Sequence, residues 1–363
     1  MTNGTVGIGR RSVLAGAAAA GAVITLGAPA IRAQERSLKV GTYGGYFEDS
    51  FKKHIYPAFT KATGIKVDSV AEPTGEQWLL QLQQAAMAGQ APADVSMMAN
   101  VPRIRGATAQ LWAPLDEAKV PNAKNVIPTF LARYDGEKLY GVGAVSWFIT
   151  LVTNTNVFKE APGSWAALWD PANRDRVGLL ALASNSFLVE ITAKTHFADQ
   201  PTVLDSEAGI MKVLGKLAEL KPNVKLWYRD EGQFQAQLQS GEIPMGQYYH
   251  DVAGLAAKDG HPVRSTFPKE GGVVDSGSWC VSKASKKMEE AQIFIDYMCQ
   301  PAVQATLSRE VGTAPVIPKA LTGLSDAEFA AVSSETAPIV PKYGMYLERG
   351  DWLAQKWTEM ITA

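Results

Sequence analysis

Pro268-Lys269-Glu270-Gly271-Gly272-Val273-Val274-Asp275-Ser276-Gly277-Ser278-Trp279-Cys280-Val281 is the stretch whose reading decides the fold. Gly271 and Gly272 give a turn with a permissive backbone. An acid, two hydroxyls and an indole follow between Asp275 and Trp279. A strand-like apolar run and then a helical pattern come next. A short polar strip leading into a buried strand reads as one wall of a ligand cleft.

Working outward, Leu38-Lys39-Val40-Gly41-Thr42-Tyr43 reads as a first strand, ending in the turn Gly44-Gly45-Tyr46. An amphipathic helix from Phe47 to about Thr63 is capped by Gly64. Ile65–Val70 alternates as a second strand, a helix runs from about Thr74 to Ala88, and Asp94–Met98 is a third strand. This β-α-β-α-β order implies a parallel sheet with helices on its faces. Ligands of such sheets sit beyond the carboxyl ends of the strands. Here those ends are Tyr43–Tyr46 and Ala99–Val101.

Leu139 to Asn154 reads as apolar strands broken by Ser146-Trp147-Phe148. A second α/β set occupies 155–270. It has a helical turn at Trp165–Trp169, strands 177–182, 224–228 and 243–249, and helices 186–197, 205–219 and 231–240. The chain crosses back near Asp275, and a strand (278–282) and a helix (286–298) return to the first set. The expected α/β architecture is two lobes joined by a hinge of two crossings, with a ligand cleft between. Residues 38–145 plus 279–363 form lobe one and 146–278 form lobe two. The tail from about 320 is helical, rich in Trp and Tyr, and expected to pack across the lobes.

The 363 residues suffice for two domains of ordinary size. Hydrophobic content of 46% and charged content of 20% fit a globular protein, and a net charge of −1 suggests no nucleic-acid partner. Arg10-Arg11, the apolar run AGAAAAGAVITLGAPA and small residues at Ala30 and Ala33 make a twin-arginine export signal over 1–33. Cleavage is placed after Ala33, with Ala30 as the alternative. A membrane anchor is the competing reading, but the run is mostly Ala and Gly and is cut by Pro29. The expectation is a periplasmic monomer that does not span the membrane after cleavage. Cys280 and Cys299 are either a disulfide or buried free thiols. His54, His196, His250 and His261 are not paired at metal-ligand spacing, so no metal site and no cofactor are expected.

The chain contains no G-x-S-x-G, G-x-x-x-x-G-K-[ST], H-E-x-x-H or C-x-x-C, so no enzyme chemistry is assigned.

PKEGG with its strip and the following helix resembles the second half of a bacterial periplasmic solute-binding protein of ABC transporters, in the spermidine/putrescine-binding group. So do LKVGTYGGYFEDSF, SWAALWDPANRDRVGLL and SGEIPMGQYYHDVAGLAAKDG, and the blocks run from about Leu38 to Pro318. The resemblance implies a type II-like two-lobed binding-protein fold, an inner-membrane ABC permease as partner, and capture by lobe closure. Polyamine binders of the group hold an alkyl chain between aromatic rings and the ammonium ends on carboxylates.

Carried over residue by residue, Tyr43 keeps the first aromatic and Tyr46 stands near the second, with Gly44 and Gly45 offering close backbone approach. Asn100 keeps a polar side chain after the third strand. The paired acids of the group are absent from Ala183-Ser184-Asn185-Ser186-Phe187. Tyr249 matches an aromatic, and Asp251 follows it as an amine ligand or a solvated turn carboxylate. In the opening strip Asp275 stands where the group has an aromatic, with Ser276 and Trp279 beside it; Trp279 points either to the cleft or into the core. A buried carboxylate is costly unless paired, so a cationic ligand is the natural partner of Asp275. Arg229 would take a ligand carboxylate or pair locally with Asp230 or Glu231. Loss of one acid pair suggests a small amine-bearing solute, a polyamine or an ω-amino acid such as 4-aminobutyrate. The competing reading is a ferric-ion-binding protein using Tyr248 and Tyr249, although adjacent strand residues face opposite ways.

Overall fold

The computed structural model describes residues 36–44, 46–73 and 75–362. The export signal read over 1–33 lies outside the described residues, as do Gly45 and the side chain of Tyr46.

The first half follows the β-α-β-α-β order. β1 (Ser37–Tyr43) pairs in parallel with β2 (Lys66–Glu72) and with β3 (Val95–Ala99). The first helical stretch is not one regular helix. It runs as Tyr46–Ser50, a π-helical Phe51–Ile55 and then Tyr56–Thr63. Pro57 enters the last piece with no N–H to donate, so the turn before it is wound to a wider pattern. Gly64 closes the stretch at φ 72°, where a side chain would be strained.

β4 (Leu131–Tyr134) leads into β5 (Lys138–Asn154), one unbroken strand of 17 residues rather than the interrupted pair expected. Ser146-Trp147-Phe148 does not break it because both edges are hydrogen-bonded there. Ser276, Asp275 and Val274 pair on one side. On the other, Ser146 and Ala314 exchange main-chain bonds of 3.0 and 2.8 Å. At about 3.3 Å per residue the strand is long enough to serve two cores.

The second half contributes β6 (Val177–Leu180), β7 (Val224–Tyr228), β8 (Met245–Tyr249), β9 (Val263–Thr266) and β10 (Val273–Val281). Among the described residues the strands form one sheet in the order β2-β1-β3-β10-β5-β8-β6-β7, with β4 and β9 also paired to β5. The sheet serves two principal cores, one per lobe. Leu139, Val142 and Val145 of β5 pack in the first core with Val40, Met97 and Phe294. Ile149 and Leu151, farther along the same strand, pack in the second with Leu179, Leu188 and Leu214. β10 spans the same division, with Trp279 in the first core and Val273 in the second. Two strands thus cross between the lobes. A further passage lies between Ile317 of the first core and Ile339 of the second.

Residues 279–363, grouped in sequence with lobe one, divide between the cores. Helix Met288–Met298 packs in the first. The last helix, Tyr343–Thr362, is kinked at Arg349 (φ −130°) and buries Met345, Tyr346, Leu353 and Trp357 in the second. Its apolar residues recur at helical spacing, and the Trp357 indole N–H donates to Ala181 O at 2.8 Å. Cys280 and Cys299 are buried free thiols.

Candidate functional site

Asp275 is the centre of the most connected polar cluster at the crossing. It sits on β10 directly opposite Trp147 of β5. Its Oδ1 accepts from the Asn100 amide at 2.8 Å, the Tyr343 hydroxyl at 2.8 Å and the Ser276 main-chain N–H at 2.8 Å. The Asn100 amide nitrogen also lies 3.0 Å from the Tyr343 hydroxyl and 3.1 Å from Ser276 Oγ. Asn100 opens the helix Asn100–Thr108 straight after β3, at the carboxyl end of a first-lobe strand. Tyr343 opens the last helix, which is rooted in the second core. The cluster therefore joins both lobes through a crossing strand.

Tyr43, at the end of β1, packs edge-on against Trp147 with ring centroids 6.0 Å apart. Its hydroxyl is buried, with no hydrogen-bond partner among the described residues. Burial, then the charges of Glu72 and Asp275, push that phenol well above its ordinary value. Gly44 is exposed in the turn that follows.

On the second lobe, Tyr249 donates from its hydroxyl to Glu231 Oε1 at 3.0 Å. Tyr248 packs in a cluster with Tyr228 and Phe234, and Tyr249 lies against the same cluster with its ring centroid 5.6 Å from that of Tyr248. The Tyr248 hydroxyl lies 3.2 Å from Glu231 O and 3.3 Å from Gln235 Oε1. Burial and then the Glu231 charge push both phenols up in the metal-free fold. Among the described residues no group of three or more His, Cys, Asp or Glu could hold a metal ion.

Arg229 is exposed, and among the described residues it forms no ion pair with Asp230 or Glu231, the local alternative to a ligand carboxylate. Asp230 is used instead to cap the helix Glu231–Ser240, accepting from Gln233 N at 2.8 Å. Asp251 is buried, in the first turn of the helix His250–Lys258, and one of its carboxylate oxygens has no hydrogen-bond partner among the described residues. Burial pushes its carboxyl up to about 6.

Two cavities flank the crossing. One, of about 320 Å³, is lined by Asn100, Ser146, Phe148, Asp275, Ser276 and Tyr343, among others. The other, of about 410 Å³, lies beside Asp251, Lys258, Arg264 and Gly312. Both are within the range of small-molecule sites. Of the residues singled out from the sequence, Asn100, Asp275 and Ser276 come together, with Tyr43 and Tyr249 near enough for Asp275 to act on their charge. Asp251 lines the other cavity.

Trp279 is not at the cleft. It is fully buried, with ring centroids 5.0 Å from Phe294 and 6.0 Å from Phe51. An indole flanked by two phenyl rings is held by first-core packing.

The sequence reading missed Tyr343, Glu190, Glu231 and Arg103. Glu190 is buried and accepts from the Tyr346 hydroxyl at 2.7 Å and Lys342 N at 3.0 Å. Arg103 donates to Asn100 Oδ1 at 2.8 Å and to the Tyr140 hydroxyl at 2.9 Å. The acid three residues past Phe187 was the available signal for Glu190.

Carboxyls and cations both stand near the crossing, with Lys319 lining the smaller cavity and Lys258 and Arg264 the larger. Burial is the first cause that pushes the carboxyls of Asp275, Glu190, Glu231 and Asp251 up. Among the described residues none of the four forms an ion pair within 4 Å. The nearest compensation for Asp275 is the more distant charge of Arg103.

A family profile described as bacterial extracellular solute-binding protein matches residues 55–335. The γ-aminobutyric acid-binding protein of Pseudomonas aeruginosa is 26% identical over 294 residues, 80% of this chain and 79% of that one. Spermidine/putrescine-binding periplasmic protein 1 of Haemophilus influenzae is 29% identical over 256 residues, 70% of this chain and 69% of that one. The crystal structure of an ABC transporter substrate-binding protein from Bradyrhizobium japonicum superposes with a TM-score of 0.76. It covers 90% of this chain and 99% of that one at 22% identity, a likeness of fold.

Proposed function

We propose that this chain, which belongs to the bacterial extracellular solute-binding protein family, is the periplasmic solute-capturing component of an ABC importer. It binds and does not catalyse. Its ligand is a small amine-bearing solute, a polyamine or an ω-amino acid such as 4-aminobutyrate, the classes named for its relatives. The permease partner and delivery to the periplasm follow from the same kinship, with the export signal at 1–33 supplying the route.

The observation that carries the reading is Asp275. It is a crowded carboxylate on a strand that crosses between the lobes, fixed by neutral donors and without an ion-pair partner among the described residues. A ligand ammonium supplies the missing countercharge. Trp147 and Tyr43 beside it offer aromatic edges and faces to the alkyl chain. Donors from the first lobe, the crossing strand and the last helix meet on one carboxylate, so a cation there touches groups whose spacing changes when the lobes move. Closure then follows from contacts made only in the closed state.

Thermal unfolding of the protein in the presence of polyamines, ω-amino acids, quaternary amines, organic acids and Fe(III) citrate tests the reading. Amines should raise Tm, by about 2.7 kcal/mol of stability at a hundred times Kd. A rise with Fe(III) citrate alone, abolished in Tyr249→Phe, would replace the amine with the ferric ion.

A further inference from the structure

We infer that the site selects ammonium over guanidinium ligands, because Asp275 has one carboxylate oxygen left to offer. This rests on the reading above, in which Asp275 receives the ligand's cation. Three donors converge on Oδ1: the Asn100 amide, the Tyr343 hydroxyl and the Ser276 N–H, each at 2.8 Å. Oδ2 accepts no hydrogen bond among the described residues. A carboxylate oxygen presents about two lone-pair sites, so Oδ1 is fully used. A guanidinium binds a carboxylate best through two parallel N–H bonds, one to each oxygen. That fork cannot close on Asp275 while the three donors stay. An ammonium is a compact charge with rotatable donors and needs Oδ2 alone.

The donors are themselves held. Arg103 Nη2 donates to Asn100 Oδ1 at 2.8 Å, while Nη1 is fixed on the Tyr140 hydroxyl at 2.9 Å. Turning the Asn100 amide over would set its NH₂ against the guanidinium, so its donor end stays on Asp275. Tyr343 stands one turn before Tyr346, whose hydroxyl is bound to Glu190 at 2.7 Å. Lys342 N, beside Tyr343, is bound to Glu190 Oε1 at 3.0 Å. The third donor is main chain. Asn100 and Tyr343 thus set specificity by occupying an oxygen, and Arg103 and Glu190 position them.

Calorimetric titration of the whole protein with matched pairs tests this: 4-aminobutyrate against 4-guanidinobutyrate, and putrescine against agmatine. Each pair shares an alkyl body and differs in its head group. The guanidine of each pair should bind at least roughly tenfold more weakly, the worth of one good hydrogen bond. Tyr343→Phe vacates a site on Oδ1 and should narrow the ratio to within about threefold, chiefly by improving the guanidine. Asn100→Ala should narrow it in the same way, and thermal unfolding of each variant checks that it folds. A guanidine that binds as tightly as its amine overturns the inference while leaving the amine reading intact. So does a ratio unchanged in both folded variants. Binding of no member of either pair overturns the amine reading itself, and the selectivity with it.

Discussion

Glu190 and Tyr346 meet inside the second core, carboxylate to hydroxyl, at 2.7 Å. The acid is 4% exposed and the tyrosine 2%, so neither can turn to water if the other is lost. Burial pushes the Glu190 carboxyl up, and the Tyr346 hydroxyl works against that shift. The pair roots the last helix in the second lobe. Tyr346→Phe should therefore cost about 1–3 kcal/mol in urea unfolding, the usual toll of an unsatisfied buried acceptor. A double-mutant cycle with Glu190→Gln should show strong coupling, and simple additivity would mean that the two do not act as a unit.

Asp275→Asn keeps the shape and the three donors but removes the charge. Amine affinity should fall by at least about 2 kcal/mol, roughly thirtyfold, measured by calorimetry. An unchanged Kd would place the ligand elsewhere.

Amine binding should also depend on pH through the same residue. Burial raises the Asp275 carboxyl, so at mildly acid pH part of the free protein carries a proton where the ligand cation must sit. A ligand ammonium, with a pKa near 10, stays charged throughout. Affinity should thus rise with pH, by up to about tenfold per unit below the carboxyl's raised value, and then level off. A profile flat from pH 4 to 7 contradicts this.

Stability should show the opposite slope through Asp251. Burial moves its carboxyl from the ordinary 3.8 of a free side chain up to about 6, so the folded state holds the extra proton between those values. The contribution is fully present below pH 4, declines as pH rises through 6 and is absent above. The shift corresponds to about 3 kcal/mol. Asp251→Asn should flatten the stability curve over that window and raise stability at pH 7. A curve as steep as that of the wild type would assign the slope to Glu190, Glu231 or Asp275.

Trp279→Ala should cost about 3–5 kcal/mol by emptying a core site between Phe51 and Phe294. The folded fraction should bind amines with unchanged Kd, since the indole is not in the cleft. A selective loss of affinity at unchanged Tm would reverse that assignment.

Local signals were strong where an element carried its own punctuation. Val224–Tyr228 and Glu231–Ser240 were readable to the residue, because an apolar run ends at Arg229 and Asp230 is a capping residue. Gly64 marked its helix end for the same kind of reason. β5 was misread because Ser146 looks like a break until its partners Ser276 and Ala314, more than a hundred residues away, are known. Asp275, Asn100 and Ser276 were found because a polar residue at a strand end is conspicuous. Tyr343 was not, since nothing near it in sequence says that its hydroxyl meets Asp275. Trp279 and Asp275 lie four residues apart on one strand, yet one is core and the other borders the cleft. The register of β10 against β5 shifts between Gly277 and Ser278, and the two residues stand on either side of that shift.

The division of both crossing strands between two cores has a practical corollary for anyone wishing to isolate half of the molecule. β5 and β10 each contribute to both cores, so neither lobe is a continuous stretch of chain. A cut within Lys138–Asn154 would take hydrogen-bonded neighbours from both halves at once and leave bare amides and carbonyls along a long, apolar ribbon. Such an edge is a template for pairing with another copy of itself. A fragment made to display one lobe would carry the seed of its own aggregation, and the half that was discarded is what keeps it in solution.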